Sequence, residues 1–215
     1  MLGSARILPS FDDQTLAELA TRFAGMRPYS DGSLFDGLVT AIVGQSISVA
    51  AAAVTQARLA ALFAPAVWID GREYRPLPRS DQLAESSPAL VRRSGVTMRR
   101  AEALVHAGRA MVAGELPGDE DARRDPAACT TALRALPLVG RWTAESALLW
   151  GVGAPDAYPT GDVALLRAAR HAYERPELTM RELDAIAEGW TPARGLAARL
   201  LWTGLFGGAG ETEDP

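Results

Sequence analysis

Helical spacing of apolar residues, restarted again and again by capping residues, is the feature that most constrains this chain. Asp12-Asp13 stands before Leu16, Leu19, Ala20 and Phe23, which share one helical face. Ser33 precedes Leu34, Leu38 and Ile42 in the same way, and Ser48 opens an alanine-rich run to Phe63. Thr97 starts a helix carrying Ala101, Leu104, Val105 and Met111. Asp125-Pro126 pairs a cap with proline at the first turn and predicts a helix to about Leu136. Further helices are expected at about 140–150, 162–172, 179–189 and 192–206, with Thr179 and Glu182 at capping-box spacing. The chain therefore reads as all-α.

One segment breaks this pattern. "VWIDGREYR", Val67 to Arg75, alternates about Asp70-Gly71, a two-residue hairpin signal. Gly114 to Arg124 is polar and reads as a loop between two helical halves, and the tail from Gly207 reads as frayed.

Composition excludes several chemistries. The single cysteine, Cys129, rules out an internal disulfide and a four-thiolate metal or iron–sulfur site. The two histidines, His106 and His171, have no metal-ligand spacing and suit surface or packing roles. All 22 basic residues are arginine, so no lysine amine is available as a nucleophile. No apolar run reaches the roughly 18 residues of a membrane span, and the N-terminus lacks a secretory signal, so a cytoplasmic protein is expected. The net charge of −4 argues mildly against a nucleic-acid partner, although eleven arginines face nine acidic residues between Arg92 and Arg170. A GC-rich genome would also produce an arginine bias.

Two short stretches carry candidate chemistry. In "LPLVGRWTAE", Leu136 to Glu145, a turn containing Gly140 leads at once into a helix, presenting backbone N–H groups at a helix N-terminus. Such a turn holds phosphate without a positive side chain, and it also occurs as a plain helical hairpin. In "YPTGDVALLRAAR", Asp162 opens an apolar helix. It reads either as an N-cap or as a fixed anion able to stabilise positive charge at an anomeric carbon.

Five segments in order resemble one known family: "LVTAIVGQSISVAAAA", "SGVTMRRAEAL", "LPLVGRWTAESALLW", "PDAYPTGD" and "WTPARGLAARLLW". They are similar to the helix-hairpin-helix DNA glycosylases of the 3-methyladenine DNA glycosylase II (AlkA-like) branch. The resemblance implies one two-lobed helical domain. Residues 34–124 form the first lobe, and 1–33 with 125–215 the second, with the hairpin at 126–150 and the catalytic segment at 155–170. It implies a monofunctional enzyme that flips alkylated bases, of the 3-methyladenine and 7-methylguanine type, out of duplex DNA and leaves an abasic site.

By position, the resemblance makes Asp162 the catalytic carboxylate and places Trp142 where bifunctional members carry a lysine. Trp142, Trp202 and Tyr158 become base-pocket candidates. Gln45, Ser46 and Ile47 match the turn that enters the gap left by the flipped nucleotide, and Leu138, Val139, Gly140 and Thr143 match the phosphate grip. The carbonyls of Arg134, Leu136 and Val139 match positions that hold Na+ or K+, and no cofactor is required. A monomer acting on double-stranded DNA, away from membranes, is implied. Leu138 replaces the family's usual hairpin glycine, Ser46 its often bulky wedge, and Ser146 a tyrosine that some relatives place in the pocket, and the extra N-terminal β-domain of some longer members is not expected. Trp68 and Trp190 read as core or partly exposed, and Glu145 as solvated. A non-catalytic module for distorted DNA and a helical protein-interaction scaffold are the competing readings.

Overall fold

The computed structural model describes residues 9–26, 30 and 32–206. Twelve helices and one two-stranded sheet are present among them, so the all-α expectation holds. The chain divides into two compact units, residues 30–152 and residues 1–29 with 153–215.

In the unit of residues 30–152, α2 (Leu34–Gly44) is capped by Ser33, whose hydroxyl accepts the Asp36 N–H, and α3 (Val49–Phe63) by Ser48 in the same manner. The hairpin follows, with β1 (Val67–Ile69) paired antiparallel to β2 (Arg72–Tyr74). Asp70 and Gly71 both have positive φ, at 50° and 76°, the backbone a two-residue hairpin turn demands. Trp68 is 69% exposed, so it is not a core residue. Two short helices, α4 (Ser80–Glu85) and α5 (Pro88–Arg92), precede α6 (Met98–Val112). Sequence periodicity does not reveal α4 and α5 because each has little more than one turn to repeat over. They are held by tertiary packing through fully buried Leu83 and Val91. The Ser87-Pro88 pair, a cap followed by proline at the first turn, is the local signal for α5.

Residues 119–124 differ from the loop expected there. They form α7 (Asp119–Arg124), with three acids in its first turn and Arg123 and Arg124 in its last, which matches the helix dipole. The Asp119 carboxylate also accepts the Leu34 N–H at 2.8 Å, capping α2 from outside. Next comes α8 (Pro126–Leu133), capped by Asp125. It stops before Leu136 because Pro137 biases its predecessor away from helix, and the chain closes into short i→i+3 turns at Ala135 and Leu136. Last is α9 (Arg141–Gly151).

The crossing of α2 and α9 sets the frame of this unit. A Cβ on Gly37 would lie 2.4 Å from the Ala147 carbonyl, and one on Gly151 would lie 2.5 Å from the Ser33 carbonyl. The two backbones therefore touch. Buried Val39, Ile42, Ala144 and Leu148 fill the surrounding core. This contact also accounts for a difference from the expected lobes: α8 and α9, placed after a boundary at 124/125 in the sequence reading, group with α2–α7.

The other unit contains α1 (Gln14–Arg22), α10 (Val163–Ala172), α11 (Met180–Glu188) and α12 (Arg194–Phe206). Asp13 caps α1, and its second oxygen accepts the Tyr173 hydroxyl at 2.6 Å. Burial, reinforced by that carboxylate, pushes the Tyr173 hydroxyl above the ordinary tyrosine range. Thr179 and Glu182 form the expected capping box. Leu16, Leu165, Leu178, Leu183, Trp190 and Leu201 belong to one buried cluster. The tail from Gly207 lies outside the described residues.

Candidate nucleic-acid interface and catalytic carboxylate

The hairpin joins α8 to α9 through Leu133–Gly140. Val139 donates to the Leu136 carbonyl at 3.2 Å, and Leu138 between them takes φ 64°. That is the left-handed region, where a branched side chain costs about 1–2 kcal/mol. Glycine is the residue this backbone favours, and here Leu138 takes its place. Gly140 is different. Its φ and ψ of −84° and −177° are open to any residue, it is exposed, and a Cβ there would meet nothing within 4 Å. The fold does not require glycine at 140. It serves as N-cap of the eleven-residue α9 without a side-chain bond.

Gln45 connects this hairpin to the turn between α2 and α3. From the touching glycines, Gly37 to Gln45 and Gly151 back to Thr143 each cover eight residues, about 12 Å of helix. Gln45 therefore ends α2 beside the start of α9. Its Nε2 donates to the Leu138 carbonyl at 2.9 Å and to the Thr143 hydroxyl at 3.0 Å. The carbonyl of Gln45 accepts a hydrogen bond from the Arg100 guanidinium on α6. After it, Ser46 takes φ 53°, a second non-glycine residue in the left-handed region, and Ile47 is 38% exposed. Of the three residues expected to enter a DNA gap, Gln45 is thus half-buried and committed to the hairpin, while Ser46 and Ile47 project.

Trp142 is half-buried on the first turn of α9, and Thr143 and Val139 are buried. Glu145 is not solvated as the sequence suggested. It is 8% exposed and pairs with Arg141 at 2.9 Å, one turn earlier. Ser146 is buried, and its hydroxyl has no hydrogen-bond partner among the described residues.

In the other unit, the segment before α10 is pinned at three points. Asp156 takes two bonds from the Arg194 guanidinium, at 3.0 and 2.7 Å, and one from the Arg194 N–H at 3.1 Å. Tyr158 donates its hydroxyl to Asp184 at 3.0 Å and meets Trp190 edge to face, with ring centroids 6.1 Å apart. Asp162 caps α10, its Oδ1 accepting the Leu165 N–H at 2.6 Å. Gly161, at φ 83°, makes the turn that delivers Asp162 to this position.

Tyr158, expected from sequence to line a base pocket, is 4% exposed, with its ring in the core cluster. An aromatic in a loop beside a suspected site reads the same whether its ring turns inward or outward. Its partner Asp184 carries no sequence signal that would have paired the two. Trp202, on α12, is half-buried and packs against the same core cluster. Gln45, Leu138 and Thr143 come together in one unit, and Asp156, Tyr158 and Asp162 share a rigid segment in the other.

Several known proteins are similar to this chain in sequence and fold. DNA-3-methyladenine glycosylase 2 of Escherichia coli is 31% identical over 194 residues, 90% of this chain and 66% of that protein. The chain is similar to the AlkA-like DNA glycosylases. It spans just under two thirds of the length of that relative. The structure is similar to the 3-methyladenine DNA glycosylase of Archaeoglobus fulgidus, with TM-score 0.73 and 25% identity over 90% of this chain and 67% of that one. A Schizosaccharomyces pombe 3-methyladenine DNA glycosylase in complex with abasic DNA shares the fold, with TM-score 0.74 and 22% identity, covering 90% of this chain and 92% of that one. No family model matches the chain.

Proposed function

We propose that this chain is a monofunctional DNA glycosylase that removes alkylated bases from duplex DNA and leaves abasic sites for base excision repair. The observation that carries the reading is the placement of Asp162. Its carboxylate is fixed at the N-terminus of α10 by the Leu165 N–H, on a segment braced by Asp156–Arg194 and Tyr158–Asp184. A carboxylate held this firmly needs little reorganisation when positive charge develops at a sugar carbon.

In this reading the backbone of Val139, Gly140 and the first turn of α9 holds a phosphate, positioning the duplex without reading sequence. Ser46 and Ile47 enter the space left by the flipped nucleotide, and Gln45 keeps their turn in register with the grip. Flipping costs a few kcal/mol, less for a lesion than for a sound pair. Trp142 supplies an aromatic face for the cationic base. The C1′–N bond breaks with its electron pair going to the base, which leaves neutral and so needs no strong general acid. Asp162 stabilises the oxocarbenium-like sugar until water adds at C1′ and releases its proton.

The sequence has no lysine, and Trp142 stands where a lyase lysine would, so no imine with the opened sugar forms through a lysine. The carbonyls of Arg134, Leu136 and Val139 are hard oxygen donors of the kind Na+ or K+ accepts. The Leu136 carbonyl, bonded once to Val139, retains a second lone pair for a cation. A cation held there supplies positive charge at the grip. Incubating the protein with methylated duplex DNA and identifying the released bases by chromatography tests the reading. Release of 3-methyladenine or 7-methylguanine is expected, and no released base at high enzyme concentration would contradict it.

A further inference from the structure

Four exposed arginines gather at the turn between α5 and α6. Arg92 ends α5 and Arg93 caps it, and Arg99 lies in the first turn of α6. Arg58 on α3 brings its guanidinium to 3.7 Å from where a Cβ on Gly95 would stand. Gly95 itself is at φ 105°, so the turn that collects these residues depends on glycine. No ion pair to any of the four is present among the described residues. Even Glu102, one turn along α6 from Arg99, forms no pair with it.

Four arginines thus stand together without a carboxylate partner in a chain of net charge −4. Carboxylates are plentiful enough to neutralise the cluster, yet it is left bare, and like charges held together repel unless an anion sits among them. Guanidinium forks match phosphate oxygens in geometry as well as charge. The patch also adjoins the candidate site. Arg100, next in sequence to Arg99, donates to the Gln45 carbonyl, while the Gln45 side chain reaches the hairpin. One residue thus meets the hairpin through its side chain and the start of α6 through its main chain. The helices α3, α6 and α9 all begin close to Gln45, so three positive dipole ends converge there.

We propose that Arg58, Arg92, Arg93 and Arg99 form a second phosphate-binding surface for duplex DNA, distinct from the hairpin grip. The proposal rests on the reading of this chain as a DNA glycosylase. The surface binds backbone phosphates without base preference, and it strengthens undamaged and lesion-bearing duplexes alike.

The test is anisotropy titration of undamaged and methylated duplexes against salt, using the full chain. Arg92→Gln/Arg93→Gln is compared with Arg123→Gln/Arg181→Gln, an equal loss of charge at exposed arginines elsewhere. Each phosphate contact contributes about 0.9 to the slope of log K against log salt, so the patch variant should lose about 2 from the slope. Its affinity near 0.1 M salt should fall roughly tenfold or more for both duplexes. Single-turnover base release at saturating protein should stay at the wild-type rate. A wild-type slope in the patch variant, or an equal loss in the control, overturns the patch while leaving the glycosylase reading intact. Failure of the wild-type protein to bind any duplex at low salt would instead overturn both.

Discussion

The side-chain amide of Gln45 lies 2.9 Å from the carbonyl of Leu138 and joins two turns that each hold a non-glycine residue in the left-handed region, Ser46 at φ 53° and Leu138 at φ 64°. Such conformations persist when their surroundings over-determine them. Here the determining contact is a single side chain, anchored by touching helices on one side and by Arg100 on the other. Gln45→Glu removes the donor and sets a carboxylate against a carbonyl oxygen. A loss of about 2 kcal/mol is expected, on the scale of leaving a buried polar group unsatisfied. Urea unfolding measures it, and a midpoint equal to wild type would show that the tie holds nothing.

Leu138→Gly should act in the opposite direction. Relief of left-handed strain is worth about 1–2 kcal/mol, and the added freedom of the unfolded chain returns about 0.5–1 kcal/mol of it. A net gain of about 0.5–1 kcal/mol should raise the melting temperature by a degree or more. A lower melting temperature would mean that packing of the Leu138 side chain outweighs the backbone strain.

The two hairpin positions should separate cleanly in experiment. Gly140 has ordinary dihedral angles and open space around its Cβ position. Gly140→Asp should therefore leave stability unchanged or slightly improved, since aspartate is a good N-cap. Bulk and negative charge at the grip should nevertheless weaken binding of undamaged and damaged duplex alike. Equal affinities for variant and wild type would show that DNA is not held at this turn.

The reaction type can be examined without mutation. Borohydride should trap no covalent protein–DNA adduct, and strand breaks should appear only after alkali. Efficient trapping by untagged protein at neutral pH would show an amine at work and contradict the monofunctional reading.

Capped helices with long apolar faces were legible in the sequence because cap and period report the same local physics. Ser33, Ser48, Thr97, Asp125 and Thr179 all cap where expected, and Asp70-Gly71 makes its turn. The short helices α4 and α7 were not legible, since packing of Leu83 and the Asp119–Leu34 bond hold them in place. At the candidate site, residue type foretold that Asp162 would open a helix, which is a local property. The inward burial of Tyr158, the commitment of Gln45 to the hairpin and the burial of Glu145 are all long-range or packing outcomes. A pattern of neighbouring residues carries no information about them.

Asp162 carries the central claim, and single-turnover base release by Asp162→Asn tests it most directly. Asparagine retains an oxygen to accept the Leu165 N–H, so cap, fold and duplex affinity should survive. Loss of the carboxylate charge should slow release from methylated duplex by more than ~100-fold, the scale of removing a principal electrostatic group. Near wild-type release by a variant with unchanged melting temperature would contradict the assignment of Asp162 and with it the proposed mechanism.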